Sequence, residues 1–518
     1  MDINSAWKSA CKVLLGEEIG EIQQYAGYLQ KYVEPLSEKT SALSGKKVLV
    51  SSSDFCKGAK FICNEEREAY AKMLAQHKIG INDMKDIDSM LGALSESLYY
   101  CGNIVLGNSA FVQESNRCVN AYYCFRCDDV YDSKYVAYSR EARYCEYVFG
   151  SNQPGESKFN IKGMGVWRAV RCMEVMRAMA CSDCYYSANI EDCSDCMFSF
   201  NLRSKRRMIG NNSLSKEEYE KLKAKLIWDM CETLSRKKVL PCIADIIAGG
   251  QLAGTEKSQQ LPPSEPSEEI EKAFGQTSRV LFGKPLSNMR AYGKWLQQHV
   301  PKYEKVRSAI SAQPVCIPAW VFYKPARAKC VTIEESLELG KKCVLASRLE
   351  KLGVSSAAAL LKEISFIAPD IRVSNNFNIT DVATCGYTSD CAYCSVCAFS
   401  KHCAYSYWPR QSEHIFGSSL AFSSQFCLKC YHSSSLSRCF EVSDSYSCSD
   451  CYFCHNCENL SDCMFCFNAK NLRYAIGNVE VGREEFLRVK GILLAHIQKE
   501  LEEKKKLELG IFNIGEKK

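Results

Sequence analysis

The sequence lacks the features that mark a membrane or secreted protein. It contains no run of about 18 apolar residues, and its opening does not place an apolar stretch behind a charged one. It has only seven histidines, and it contains no phosphate-binding loop, dinucleotide fingerprint or Ser-His-Asp arrangement. We therefore expect a cytoplasmic protein without membrane contact, and no catalytic motif assigns it an activity.

A strong excess of charge of one sign is also absent. The chain has 66 Lys and Arg against 60 Asp and Glu, a net charge of +6, whereas a dedicated nucleic-acid-binding domain is strongly basic. What the 518 residues do have in excess is cysteine, at 32 residues. In a reducing compartment these cysteines have three explanations: metal ligands, redox chemistry, or small apolar packing residues.

Much of the sequence occurs twice, at a constant offset of 267 positions. SDCYY at 182–186 returns as SDCYF at 449–453, and SDCMFSFN at 194–201 returns as SDCMFCFN at 461–468. Weaker matches extend the correspondence outward in both directions, to about 220 residues in each copy. The sequence therefore predicts two copies of one unit.

The cysteines of each copy fall on every third position. In the second copy they are Cys385, Cys391, Cys394, Cys397, Cys403, Cys427, Cys430, Cys439, Cys448, Cys451, Cys454, Cys457, Cys463 and Cys466. Among positions twelve apart, from 391 to 463, every residue is Cys except Ile415. Because cysteine is small and readily buried, the pattern predicts a stack of coils of about twelve residues, each with about four small residues facing inward.

We predict an α+β fold: two tandem copies of a narrow right-handed parallel β-solenoid with coils of about 12 residues, flanked and capped by helices. Ser215 to Glu218 has the form of a capping box and begins one predicted capping helix. The predicted boundaries are 1–117 for the helical region of copy one, 118–211 for its solenoid, 212–248 for its capping helix, 249–270 for a Gly-, Pro- and Ser-rich linker, 271–384 for the helical region of copy two, 385–478 for its solenoid, and 479–518 for its capping helix and tail.

One stretch resembles a known class of repeat protein. The segment CSDCYFCHNCENLSDCMFCFNAKNLRYAIGN, followed by REEFLRVKGIL, resembles the cysteine-triplet repeat proteins of uncharacterised microbial and viral genomes. The resemblance covers about 118–225 and 385–492, and Gly477 and Asn478 depart from the Asn-Lys usual in the tail. That family has no established activity, so the resemblance implies a C-x-x-C repeat fold and no site.

A metal site is the main alternative explanation for the cysteines. C-x-x-C pairs are typical zinc ligands, and the four candidates are Cys391, Cys394, Cys427 and Cys430. Against this, Ser187, Ile190 and Ser199 of copy one stand where copy two has cysteine, an exchange that a packed core tolerates and a zinc tetrathiolate does not. An iron–sulfur cluster meets the same objection, because copy one keeps only Cys181 and Cys184 of the four ligands. A reactive thiol needs an activating base, and histidine is scarce in this chain. We therefore favour packing, with no cofactor, and keep zinc as the alternative.

Three groups of residues are candidates for interaction with a partner. They are the aromatic residues beside inward cysteines, Tyr185, Tyr186, Tyr452 and Phe453; the basic segment of Arg203, Lys205, Arg206 and Arg207; and the retained pair Glu146 and Glu413. The alternatives are that helices cover the aromatic rings and that the basic segment is a solvated turn. The four histidines of the predicted solenoids, His402, His414, His432 and His455, all lie in copy two, have no histidine counterparts in copy one and are interpreted as surface or hydrogen-bonded residues.

These features favour a non-enzymatic scaffold or binding protein. Its two solenoids are expected to pair as an internal pseudo-dimer and to dock onto a protein or ribonucleoprotein assembly. The alternatives are a zinc-binding or thiol-redox protein and an enzyme with its site between the two halves.

Overall fold

The computed structural model describes residues 2–75, 80, 84–153, 155, 157–165, 170–249 and 261–514, so half of the predicted linker, residues 250–260, lies outside the described residues. Below, the first half means residues up to 249 and the second half means residues from 261. The α-helices in the described part are Ile3–Leu15, Ala26–Gln30, Arg67–Ala75, Ile87–Leu94, Lys216–Lys237, Ile243–Ile247, Glu268–Phe282, Gly293–Leu296, Ile333–Leu339, Ala346–Leu349, Ala357–Leu360 and Arg483–Lys504. None of these helices is long and apolar enough to cross a membrane.

The protein is a mixed α/β molecule with many short, mostly parallel strands. Those of the first half are Ser37–Thr40, Lys47–Val50, Lys60–Cys63, Tyr99–Gly102, Val105–Leu106, Ala110–Gln113, Asn116–Val119, Tyr122–Phe125, Asp128–Tyr131, Lys134–Ala137, Glu146–Phe149, Lys158–Ile161, Met176–Met179, Ser182–Tyr185, Ala188–Glu191, Ser194–Met197, Arg206–Ile209 and Asn212–Ser213. Those of the second half are Glu304–Arg307, Pro314–Ile317, Ile371–Val373, Phe377–Thr380, Thr384–Gly386, Ser389–Ala392, Val396–Ala398, Lys401–Ala404, Glu413–Phe416, Ser419–Phe422, Gln425–Leu428, Tyr431–Ser434, Ser437–Phe440, Ser449–Tyr452, Ser461–Met464, Arg473–Ile476 and Val479–Glu480.

Parallel strands in both halves pair in a register of twelve residues. Cys184 faces Cys196 in the first half, and Cys451 faces Cys463 in the second. The longest sheet has ten strands, running from Phe377–Thr380 to Val479–Glu480, and only its last pair is antiparallel. The register equals the spacing that the cysteines predict.

A left-handed backbone conformation recurs at nearly every third residue along the parallel strands. Almost every third residue along the parallel strands has a φ near +50°, as at Tyr123, Arg126 and Asp129, although none of these is glycine. This left-handed conformation is unfavourable for most side chains. Hydrogen bonds between successive segments hold it in place: the amide of Arg126 donates to the carbonyl of Gln113 at 3.1 Å.

The residue after each left-handed position faces inward in most cases, and it is usually small, although Ile415, Leu436 and Met208 are larger exceptions. In the second half the inward thiols and hydroxyls are buried and bond to the backbone. Cys403 Sγ lies 3.2 Å from the carbonyl of Lys401, and Ser418 Oγ accepts the amide of Cys430 at 3.0 Å. The core is thus narrow but rich in hydrogen bonds, which explains why serine replaces cysteine at inward positions.

Helices cover one side of the strands in each half with matching contacts. Tyr185 OH donates to the carbonyl of Leu14 at 3.0 Å, and Tyr452 OH donates to that of Leu281 at 2.8 Å. Both members of the second bond lie 267 positions after those of the first. The helices Ile3–Leu15 and Glu268–Phe282 therefore pack on equivalent surfaces.

The two halves make reciprocal contacts with each other. Asn201 Nδ2 donates to the carbonyl of Phe366 at 2.9 Å, and Asn468 Nδ2 donates to that of Tyr99 at 2.8 Å. Each residue of the first bond lies 267 positions from its counterpart in the second. Such an exchange of equivalent contacts is typical of a twofold interface.

The strands begin earlier than the predicted boundaries. The regions 1–117 and 271–384, predicted to be helical, also contain the hairpins Ser37–Thr40/Lys47–Val50 and Glu304–Arg307/Pro314–Ile317, and parallel pairing starts before residue 118 and before residue 385. The predicted capping box is present, because Ser215 and Glu218 bond to each other's backbone amides. At the equivalent Gly482 no side chain caps the helix.

Candidate functional site

The structure does not bring the four predicted zinc ligands together. Cys391 and Cys394 lie in one coil, and Cys427 and Cys430 lie three twelve-residue steps further, a separation of about 14 Å at the spacing between strands. A zinc ion with bonds of about 2.3 Å to sulfur cannot bridge that gap. All four residues therefore cannot bind one zinc ion together, and a zinc site as such stays a prediction.

Two of the inward thiols, those of Cys427 and Cys451, are also poorly placed for redox chemistry. Cys427 and Cys451 are fully buried, and burial raises the pKa of each thiol well above its usual value. Reaction requires an accessible thiolate, so these side chains act as packing residues in the described structure.

The predicted aromatic interaction residues are not on the surface. Tyr185, Tyr186, Tyr452 and Phe453 are all buried, and two of them are hydrogen-bonded to the covering helices. Their burial agrees with the interpretation that helices cover these rings, and it argues against their role as interaction residues. Residue type and spacing alone do not show which side of a coil is covered.

The basic segment is largely paired with acidic neighbours. Arg203 lies 2.9 Å from Glu191, and Arg206 lies 3.1 Å from Asp195. Lys205 is exposed and Arg207 is half-buried. The segment therefore presents less free positive charge than its sequence suggests.

Two surface grooves occupy equivalent places in the two halves. The first groove is lined by Tyr122, Ser133, Lys134, Tyr144, Glu146 and Lys158 among its ten residues, and the second by Tyr387, Phe399, Ser400, Lys401, Glu413 and Gln425 among its fourteen. Each of the ten residues of the first groove has its counterpart, 267 positions later, in the second. The volumes are about 620 and about 600 Å³.

Both grooves combine exposed aromatic rings with a retained Lys and Glu. Tyr144 is 64% exposed in the first groove. In the second, Tyr387 and Phe399 stack with their ring centroids 4.8 Å apart. Glu146 pairs with Lys158 at 3.6 Å. Such a surface offers apolar anchors and charged groups to a partner, and it places the retained Glu146 and Glu413 at a common location.

A smaller cavity, the central cleft, lies between the two halves. It has a volume of about 240 Å³ and is lined by Glu34, Arg140 and Glu141 of the first half and by Trp320, Tyr407 and His432 of the second, among others. The cleft that an enzyme between the halves would need therefore exists.

Glu141 is the most unusual group of the central cleft. Its carboxylate accepts hydrogen bonds from Gln153 at 2.6 Å and from Tyr407 OH at 3.0 Å, and the Tyr407 hydroxyl accepts one from Trp320 Nε1 at 3.1 Å. Burial raises the pKa of Glu141 to about 7. A carboxyl group near half-ionisation at neutral pH can take up or release a proton.

No family model, curated protein or solved structure matches this chain.

A buried ion network joins the halves beside the cleft. Arg117 contacts Asp128 at 3.3 Å, Asp129 at 2.8 Å and Asp444 of the second half at 3.2 Å, and His432 lies 3.6 Å from Asp129. Burial by itself would raise the pKa of Asp129, but Arg117 and His432 lower it below its usual value.

The four histidines between residues 385 and 478 separate into two groups. His455 accepts the amide of Cys101 at 2.9 Å, and His432 belongs to the ion network, so both have structural partners at the junction of the halves. His402 and His414 instead lie together beside Glu413, which lines the second groove.

Sequence reasoning missed the grooves, although part of the signal was present. Ser133 and Lys134 recur unchanged as Ser400 and Lys401 at the same offset as Glu146 and Glu413. These three pairs of identical residues all line the grooves, so their joint recurrence was a sequence signal for this surface. The residues of the central cleft had no comparable signal, because they differ between the halves at corresponding positions.

Proposed function

We propose that the chain is a non-enzymatic binding protein or scaffold, in which two tandem right-handed β-solenoids present two equivalent grooves to the proteins of a larger assembly. The recurrence of all ten positions of the first groove in the second carries this proposal. The twelve-residue register and the small inward residues support the solenoid description.

We further propose that the halves form an internal pseudo-dimer. The reciprocal bonds of Asn201 and Asn468 support this arrangement. It would present both grooves on one molecule, so that a partner with two binding segments gains affinity through its second contact without any new interaction.

The proposed partner is a protein, including the protein component of a ribonucleoprotein. Exposed rings such as Tyr144 and Phe399 are suitable anchors for apolar side chains. The pairing of Arg203 and Arg206 with acidic residues argues against a primary contact with phosphates.

Affinity purification of the tagged chain from its own cells, with and without nuclease, tests the proposal. A defined protein partner should survive nuclease. Its capture should fall in the double variant Tyr144→Ser/Phe399→Ser and persist in Tyr446→Ser, which removes an exposed ring outside both grooves. Loss of all partners after nuclease, or equal capture by the two variants, would overturn the proposed grooves.

The central cleft supports a second candidate, a small-molecule site that could serve an enzyme. The specific observation is the carboxyl group of Glu141 with a raised pKa, bonded across the halves to Tyr407. Native mass spectrometry of the purified chain should then show a small polar ligand that is lost in Tyr407→Phe. A chain that retains no ligand at stoichiometric level excludes this candidate.

A further inference from the structure

Three stacked tyrosine rings of the first half are replaced by other residue types at the corresponding positions of the second half. Tyr123, Tyr135 and Tyr147 stack one above another, with neighbouring centroids 5.2 and 5.0 Å apart. At the 267 offset the second half has Asp390, His402 and His414 in their place. All three replacements are residue types that bind metals, and the neighbouring Glu146 is retained as Glu413.

These side chains converge in the folded structure. Glu413 Oε1 lies 3.4 Å from His402 Nδ1 and 3.7 Å from His414 Nε2. One ligand atom from each of the three residues lies within 4.8 Å of the other two. Ligands of a tetrahedral zinc ion, with bonds of about 2.0–2.2 Å, are about 3.4 Å apart, so the cluster needs only a small contraction to surround an ion.

A neighbouring helix orients His414. The hydroxyl of Thr277 donates to the carbonyl of Ala273 at 2.9 Å, so towards His414 Nδ1, 3.4 Å away, it acts as an acceptor. The ring proton therefore sits on Nδ1, and the lone pair of Nε2 faces Glu413. The ring of Phe426 stacks on His414 at 4.4 Å and holds its plane.

Asp390 lies behind the other histidine, His402, at a distance longer than a hydrogen bond. Its Oδ2 lies 3.9 Å from His402 Nε2, on the side of the ring away from Glu413. A carboxylate behind the second nitrogen of a histidine is the usual support of a metal ligand, since it keeps the proton on that nitrogen and leaves the other free to bind.

We propose that His402, Glu413 and His414 bind one divalent transition-metal ion of the zinc type. Two histidines and one carboxylate form a known catalytic-type ligand set for zinc, which leaves a position for water. Glu413 is half exposed and lines the second groove, so the ion would reach the site from solvent. The first half cannot form this site, because tyrosines occupy the histidine positions.

The three cysteines Cys391, Cys397 and Cys403 are the competing metal site. Their sulfur atoms are also close, with Cys391 Sγ and Cys397 Sγ 3.7 Å apart. All three are at most 1% exposed, and Cys403 is bonded to a backbone carbonyl. An ion has no route to them without opening the core, so the histidine cluster is the better site.

Titration of the full chain with Co²⁺ and then Zn²⁺ tests the proposal. After purification with a chelator and its removal, we expect one equivalent of Co²⁺ to bind with weak visible bands and to be displaced by Zn²⁺. Thiolate ligands would instead add intense ultraviolet charge-transfer absorption. Such absorption, or the absence of binding, would overturn the site.

Substitutions of single side chains and of the histidine pair test which residues bind the metal ion. His402→Tyr/His414→Tyr restores the residues of the first half and should abolish binding, while Thr277→Val should weaken it by about 10–100-fold through loss of the supporting contact. Glu413→Gln should also weaken binding, whereas Glu146→Gln, the matched change in the first half, should leave it unchanged. Equal binding by the double-tyrosine variant, with an unchanged circular dichroism spectrum, would reject the assignment. The titration uses no protein partner, so its result is independent of the proposed scaffold function.

Discussion

At the scale of single residues, Glu141 should make stability depend on pH. Burial raises its pKa from 4.5 to about 7, so between these values the folded state holds a proton that the unfolded state releases. Stability therefore falls as pH rises through this window. Glu141→Gln does not titrate, and its stability relative to the wild type should improve by up to about 3 kcal/mol between about pH 5 and about pH 8.

Urea unfolding of the wild type and of Glu141→Gln across this pH range measures the difference in their free energies of unfolding. The contributions of titrating groups that both proteins share cancel in this difference. Arg140, Gln153 and Tyr407 contact or surround the carboxyl group in both proteins. A difference that stays constant with pH would contradict the raised pKa.

Lys429 is a buried cation whose removal should be costly. Its Nζ donates to the carbonyl of Trp295 at 3.1 Å and lies 3.6 Å from Glu441, and both charged side chains are at most 1% exposed. Lys429→Met leaves Glu441 without a cation, so we expect a loss of about 3–5 kcal/mol in the free energy of unfolding.

The first half provides a replicate of this experiment, because Lys162 and Glu174 form the equivalent buried pair at 3.9 Å. Lys221→Met, at an exposed helix position, is the control and should change stability by less than about 0.5 kcal/mol. A similar small effect for Lys429→Met would show that its pair adds nothing. Denaturant midpoints measure the change in stability for Lys429→Met, Lys162→Met and Lys221→Met.

At the scale of one coil, the width of the core should limit residue size. Cys439 is fully buried between Cys427 and Cys451 of the neighbouring coils. Cys439→Ser should cost less than about 1.5 kcal/mol, since serine already occupies inward positions and bonds the same carbonyls. Cys439→Phe should cost about 1–3 kcal/mol or more, because the packed coils must separate.

Thermal or denaturant unfolding distinguishes the two variants, and Cys343→Phe, at an exposed cysteine, is the control for the residue type. If Phe at 439 is tolerated as well as Phe at 343, the core is wider than the twelve-residue coil allows.

Elements with a strong local signal were predicted well. The capping box of Ser215 and Glu218 depends on four successive residues and is present as expected. The left-handed residue at every third position was not foreseen, because the residues there include tyrosine, arginine and histidine, which do not favour this conformation by themselves. Pairing with the neighbouring coils imposes it.

At the scale of the whole molecule, the contacts between halves should hold without a covalent link. If a protease site is introduced between residues 250 and 260 and cut, we expect both fragments to elute together in gel filtration. The bonds of Asn201, Asn468 and Arg117 across the junction support this expectation. Separation of the fragments in native buffer would contradict the pseudo-dimer, and unchanged elution of the uncut protein is the control.

The candidate sites were predicted less well than the repeat. Glu146 and Glu413 were identified from their retention. For Tyr185 and Tyr452, an interaction role and coverage by helices both stayed open, because the covering helices lie about 170 residues away in the chain. His402 and His414 were interpreted as ordinary histidines, since neither contact with Glu413 nor support from Thr277 follows from residue type.

The sequence by itself determined the period, the two copies and the small inward residues, because each depends on positions three, twelve or 267 apart in one chain. Only the tertiary structure decided which rings are covered, where the grooves and the central cleft lie, and that His402, Glu413 and His414 converge. These properties depend on how separate segments pack against one another, and packing of distant segments leaves no regular spacing in the sequence.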